Sequence, residues 1–256
     1  MADVKHHHFK SLSSTQNRAR ELLDAGEAPP FLLTANQQTQ GRGRWGRDWI
    51  SPPGNFFGSL VVRPAVPPMR YGEYSFLAAI ALRETIAYFS PKAITLKWPN
   101  DALLDGRKCA GILIESHGAQ RLVPDQWSGT AGNEFLIIGM GVNLRHAPPD
   151  DAVRTPAAAL WPDTEIDAEV GAERDAAFME NLIENFTHWH KHYAQHGFEM
   201  IRIEWLSHAH GLGQIITARA PQGAHTGIFS GIDADGNLLL TQGDQIIKVT
   251  TADVSI

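Results

Sequence analysis

Hydrophobic positions along the chain recur with two periods, and each predicts a different kind of element. The stretch "STQNRARELLDAG" (14–26) opens on Ser and Thr, carries Leu22 and Leu23 on one side and closes on Gly26, which predicts a capped amphipathic helix. "FLLTA" (31–35) and "NFFGSLVVRP" (55–64) are apolar runs that predict strands, the second stopped by Pro64. Tyr74, Leu77, Ala81, Ile86 and Phe89 return at helical spacing and predict a long helix over about 71–89. "ITLKW", the turn-rich "PNDALLDGRK" and "AGILIES" then read as strand, connection and strand, with Asp105-Gly106 as a hairpin signal. The polar, Gly-rich stretch from His117 to Asn133 reads as an exposed loop before a further strand, "FLIIGMGVNL".

Residues 145–172 are rich in proline, alanine and acid and show little periodicity. From Asp175 the helical period returns, with Phe178, Leu182, Ile183, Phe186, Trp189 and Tyr193 on one face. That helix ends near Gly197, and a shorter one covers "FEMIRIEWLSH". At Gly211 the texture changes to short strands ("QIITARA", "HTGIFSG", "LLLT", "IIKV") joined by turns, which predicts a small antiparallel barrel. The expected architecture is therefore α/β (α+β). A mixed-sheet domain over residues 1–210 precedes a small β-barrel domain over 211–256.

Composition narrows the function. The 256 residues are 43% hydrophobic, ample for a core, and no run of about 18 apolar residues predicts a membrane span. "MADVKHHHFK" lacks the hydrophobic stretch of a secretion signal, and its triple histidine reads as native chain or as an added tail. One cysteine, Cys109, excludes an internal disulfide and suits a reducing cytoplasm. The net charge of -6 argues against broad electrostatic binding of nucleic acid.

Against that acidic background, "GRGRWGRDW" (41–49) packs three arginines and three glycines into nine residues. Backbone N–H groups and guanidinium forks both donate to oxyanions, so the loop suits a phosphate or a carboxylate. A solvated basic loop is the plain alternative. Asn100 and Asp101 follow Trp98-Pro99 at a strand end, where an Asp can accept Mg²⁺ accompanied by phosphates. Lys108, held by the hairpin turn, is placed to meet a carboxylate or polarise a carbonyl. The histidines of "HWHKHYAQH" share a helix face; a metal site and a solvated face both fit, the latter more simply. Cys109 reads as a packed side chain.

Taken together, "GRGRWGR", "KWPND", "RKCAGIL" and "GMGVN" resemble, in order and spacing, the motifs of the biotin protein ligases. The similarity runs from about Leu12 to the end of the chain. It implies a catalytic domain of the biotin/lipoate ligase type followed by an SH3-like barrel. The implied substrates are biotin and ATP with Mg²⁺, and the implied partner is biotin carboxyl carrier protein. By the resemblance, Ser14, Thr15, Gln16, Gln38, Arg42, Gly43, Arg44, Lys108 and Gly111 bind biotin, with Gln16 standing where the family has Asn. Arg42, Arg44, Trp49, Lys97, Asn100 and Asn143 bind ATP or adenylate, Asp101 holds Mg²⁺, and Lys108 and Arg44 are catalytic. The first helix starts near Ser13, so the resemblance is to the short form without an N-terminal DNA-binding domain. Neither DNA nor membrane is an expected partner, and monomer and homodimer both remain open. Lipoate ligation and biotin sensing are the alternative functions.

Overall fold

Alternation along the central strands gives the main sheet two apolar faces, and each face is covered by a different helix. The computed structural model describes residues 4–118, 134–162, 168–220 and 223–255. Twelve strands and four α-helices occur among them: β1 (Lys5–Phe9), α1 (Thr15–Asp24), β2 (Phe31–Ala35), β3 (Phe56–Val62), α2 (Glu73–Phe89), β4 (Ile94–Lys97), β5 (Asp101–Leu104), β6 (Arg107–His117), β7 (Phe135–Val142), α3 (Ala168–His196), α4 (Phe198–Ser207), β8 (Ile215–Ala220), β9 (Gly223–Ile232), β10 (Leu238–Gln242), β11 (Gln245–Val249) and β12 (Asp253–Ser255). The first seven strands form one sheet in the order β1-β2-β3-β7-β6-β5-β4, and the last five form another in the order β11-β10-β9-β8-β12. Only β1 and β2 pair in parallel; every other neighbouring pair is antiparallel.

Phe31, Val61 and Ile137 are register partners on one face, where Ala19 and Leu23 of α1 cover them. Leu32, Leu60 and Ile138 form the matching row on the other face, under α2. Helix α2 is buried on most sides, because α3 and α4 pack outside it. Its Glu73, only 4% exposed, accepts hydrogen bonds from the Arg70 guanidinium and the Tyr193 hydroxyl, so its charge is paired. The C-terminal sheet continues this core. Ile216, Ile232 and Leu238 share a cluster with Phe198 and Trp205 of α4, and Trp98 Nε1 donates to Gly236 O at 3.0 Å.

The expected mixed sheet with flanking helices and small antiparallel C-terminal unit is what the chain forms. Several expected boundaries move. The "PNDALLDGRK" connection contains a strand, β5, and β6 runs on through His117. Most of the expected exposed loop, residues 119–133, lies outside the described residues, as do 163–167. Helix α3 begins at Ala168 rather than Asp175, its first turns lacking the apolar stripe that marks the rest. Ser14 occupies the N-cap of α1, but its hydroxyl makes no capping bond. The triple histidine lies in β1, at a sheet edge, with His6 and His8 both hydrogen-bonded to Thr34 Oγ1. Strand β12 was too short to stand out.

Trp205 is 1% exposed and meets Phe76 edge to face at 5.4 Å between ring centroids. Trp205→Ala is expected to cost about 3–5 kcal/mol. A lowered urea midpoint at unchanged m-value checks this; a midpoint near that of the wild type contradicts it.

Candidate active site

The helix α1 face of the large sheet carries no side chains at three of its central positions. Gly111 pairs with Gly141 across β6 and β7, and Leu113 pairs with Gly139 two residues on. The gap above them is a cavity of about 840 Å³, within the range of small-molecule sites. Trp49 lies against this floor. A Cβ built on Gly141 would fall 2.6 Å from its indole, and one on Gly111 3.0 Å, so the ring approaches the strands as closely as only glycine permits. Gln16 covers the third glycine, Gly139, and donates to Leu113 O at 2.9 Å.

Lys108 reaches the cavity through a break in register. Simple alternation from Gly111 would put Lys108 on the opposite face and Cys109 in the cavity. The β5–β6 ladder shifts between Ala102 and Leu103, so that Leu103 pairs with Lys108 and Ala102 with Ala110. A bulge of this kind turns one side chain to the other face. Cys109 joins Ala110 in the core, where burial pushes its thiol up to about 12. Lys108 emerges beside Asp101, with Nζ 2.6 Å from Oδ1 and 5.3 Å from the centre of the Trp49 ring. Lys97 stands nearby on β4. Burial lowers its pKa, with the Asp101 charge opposing that shift, and no described carboxylate lies within ion-pair distance of it.

At the α1 end the polar groups interlock. Gln38 Oε1 accepts from the Thr15 backbone N–H at 2.8 Å and from its hydroxyl at 3.1 Å, while Gln38 Nε2 donates to Ser51 Oγ. Ser59 Oγ donates in turn to Thr15 Oγ1. This network fixes Thr15 and Gln38, which line the cavity.

The arginine loop is a small hairpin. Arg42 bridges Asp48, Gly43 N donates to Arg47 O, and Trp49 N donates to Gly41 O. Its three guanidiniums have separate destinations. Arg42 is spent on Glu115, Asn17 and the more distant Ser14 hydroxyl. Arg47 donates to both oxygens of Asp253 at 2.7 Å, and Arg44 donates to Thr251 Oγ1 at 2.5 Å. Burial lowers the pKa of Arg44, and its hydrogen bond goes to that neutral hydroxyl. Trp45 lies 4.7 Å from both the Arg44 and the Arg47 guanidinium, with φ at 58°. A bulky residue in that region carries strain of about 1–3 kcal/mol that its surroundings must hold.

All the residues expected to bind biotin, ATP or Mg²⁺ line this one cavity: Ser14, Thr15, Gln16, Gln38, Arg42, Gly43, Arg44, Trp49, Lys97, Asn100, Asp101, Lys108, Gly111 and Asn143. Two of them also brace the backbone: Asn100 Nδ2 donates to Ile112 O, and Asn143 bonds through its main chain to Cys109 O and Leu160 N. Sequence reasoning missed Asp253, Thr251 and Glu115. The first two lie more than 200 residues from their arginines, in a stretch without motif or period. Glu115 falls on the strand "AGILIES", where an outward carboxylate looks unremarkable in sequence. Seven Lys and Arg line the cavity against three Asp, so an acidic chain has a locally cationic site. Such a site, with a glycine floor and an amide-lined end, suits a flat, partly apolar ligand that ends in anionic groups. Among the described residues no group of three or more His, Cys, Asp or Glu could hold a metal; on α3 His188 and His192 stack, and His196 meets His192 at a tilt.

The biotin/lipoate A/B protein ligase family matches residues 8–124, and the biotin protein ligase C-terminal domain matches residues 211–256. A biotin–[acetyl-CoA-carboxylase] ligase of Paracoccus denitrificans is 39% identical over 91% of this chain and 94% of its own. The bifunctional ligase/repressor BirA of Bacillus subtilis is 33% identical over 96% of this chain and 72% of its own. In fold, the chain is similar to a biotin protein ligase from Aquifex aeolicus in complex with biotin and ATP. The TM-score is 0.75 at 24% identity, covering 98% of this chain and 97% of that one.

Because Gly141 touches the Trp49 indole, Gly141→Ala should drive the ring off the floor. The Trp49 share of the emission, taken as the difference from a Trp49→Phe variant, should become more accessible to acrylamide. Unchanged quenching would mean that the ring does not rest on Gly141.

Proposed function

The chain belongs to the biotin/lipoate A/B protein ligase family, and on that footing we propose that it activates biotin with ATP to biotinyl-5'-AMP and transfers the biotinyl group to a lysine of biotin carboxyl carrier protein, in acetyl-CoA carboxylase or a related carboxylase. The observation that carries this reading is the cationic set of Lys97, Lys108 and Arg44 around a glycine floor in an acidic protein.

In the first step a biotin carboxylate oxygen attacks the α-phosphorus of ATP and pyrophosphate leaves. Two anions must meet, and fixed cations in a site screened from water lower that barrier most. Lys108, aimed by the bulge and steadied by Asp101, meets the carboxylate and later the acyl oxygen. Arg44, hydrogen-bonded to a neutral hydroxyl, is free to take a phosphate oxygen, with Lys97 as a further cation on the nucleotide side. Arg42, tied to Glu115, serves biotin by holding the loop to α1 and β6. Ser14, Thr15, Gln16 and Gln38 line the end for the ureido ring; Gly43 and Gly111 allow close approach. Trp49, Asn100 and Asn143 surround the nucleotide. Mg²⁺ enters as Mg²⁺-ATP. One carboxylate beside bound phosphates matches the usual holding of that ion, and Asp101 is that carboxylate. In the second step the carrier lysine amine attacks the acyl carbon and AMP leaves.

We assign residues 1–210 to the catalytic unit and residues 211–256 to a C-terminal barrel domain. The single cysteine suits a reducing cytoplasm, where this reading places the enzyme.

The test is incubation with biotin, Mg²⁺-ATP and an apo carrier domain, followed by mass analysis of that domain. One added biotinyl group is expected, and none from lipoate; modification by lipoate alone would move the assignment to lipoate ligation. Binding of biotin without transfer would favour a sensing role. Lys108→Ala should keep its melting temperature within a few degrees. A lost charge-assisted contact of about 1.5–3 kcal/mol should slow biotin-dependent pyrophosphate release on the order of tenfold to a hundredfold. Release at the wild-type rate would remove Lys108 from this role.

A further inference from the structure

We propose that Asp253, on the last strand of the C-terminal sheet, is a positioning residue that latches the arginine loop shut and so sets how long the activated intermediate is retained. The retention limb rests on the function proposed above; the latch itself does not.

The loop's own hydrogen bonds close its neck, between Gly41 and Trp49 and between Gly43 and Arg47. Its tip is held from elsewhere. Arg47 donates to both Asp253 oxygens, Arg44 donates to Thr251 Oγ1, and the half-exposed Trp45 is wedged between the two guanidiniums in a backbone conformation that needs such support. Arg154 also approaches Asp253, at 3.7 Å, and Arg219 is its register partner on β8. Every element of the clasp is therefore a side chain of this chain, and the anchor stands outside the sheet that carries the cavity floor. Asp253 and Ala252 line the cavity wall, so the latch closes over the site rather than beside it. The side chains of Arg47 and Asp253 are 39% and 36% exposed. An ion pair so accessible to water shifts an equilibrium only a few-fold. That is enough to favour the shut loop and little enough to let substrate in.

Thr251 and Asp253 also separate two jobs within one loop. Arg44 can exchange a neutral hydroxyl for a phosphate at small loss, because no ion pair is broken. Arg47 would lose its carboxylate by the same move, and so remains the anchor while Arg44 turns to the ligand.

The experiment measures amide hydrogen exchange over residues 41–49 in the protein alone, for Asp253→Asn, Arg47→Gln, the double variant and Asp253→Glu. Each single neutral variant should speed exchange about two- to fivefold. The double variant should add little to either, because both remove the same contact. Asp253→Glu, which keeps the charge, should stay near wild type, and the amides of β6 and β7 should not change. With biotin and Mg²⁺-ATP present, escape of biotinyl-adenylate into solution should rise by the same factor. Unchanged loop exchange, or additive effects of the two substitutions, would overturn the latch. A loosened loop with unchanged adenylate escape would overturn its role in retention. If the loop loosens as stated while wild-type protein forms no adenylate, the latch stands and the ligase reading fails.

Discussion

Where the lysine of the site points is decided by a single slipped residue in a strand pair. At the level of Lys108 the two faces of the large sheet differ chemically: one packs apolar side chains under α2, the other opens on the cavity. Strict alternation along β6 would place the Lys108 ammonium in the core and leave a thiol in the cavity. Burying an unpaired ammonium costs several kcal/mol, so the register shift opposite Ala102 and Leu103 is a requirement of folding as much as of function. Two contacts of the site follow from it. The Asp101–Lys108 pair and the approach of the ammonium to the Trp49 ring both depend on Lys108 arriving on that face.

Much of this was legible in the sequence, and the parts that were not share a cause. Helix and strand positions followed from periodicity wherever one face of an element is buried. The site residues clustered in motifs because loops and strand ends near one cavity draw on contiguous stretches of chain. Strand β5 was lost because four residues inside turn-forming neighbours show no period. The bulge was invisible because "RKCAGIL" reads the same with either register. Strand β1 was obscured by histidines, which carry no strand preference but find a common partner in Thr34. Asp253 lay beyond reach for a different reason: ion pairs between distant segments are written in tertiary structure alone.

The charge distribution also divides the arginine loop more finely than its composition suggests. Three guanidiniums within nine residues look interchangeable in sequence. In the fold Arg42 is paired with Glu115 and Arg47 with Asp253, while Arg44 hydrogen-bonds the neutral hydroxyl of Thr251. Concentrated positive charge is thus largely cancelled by local carboxylates. What remains is placed around the glycine floor, where desolvation strengthens its pull on an anion.

The C-terminal sheet has no core of its own to retreat to. Its apolar interior is continuous with α4, through Phe198, Trp205, Ile216, Ile232 and Leu238, and Gly236 lies close against Phe76 of α2. Separating the two parts would bare aromatic surface on both, so neither half is a free-standing module to be trimmed, swapped or grafted at the linker. Heat or denaturant should melt them as a single cooperative unit, and damage to the small sheet would be felt as lost stability of the large one.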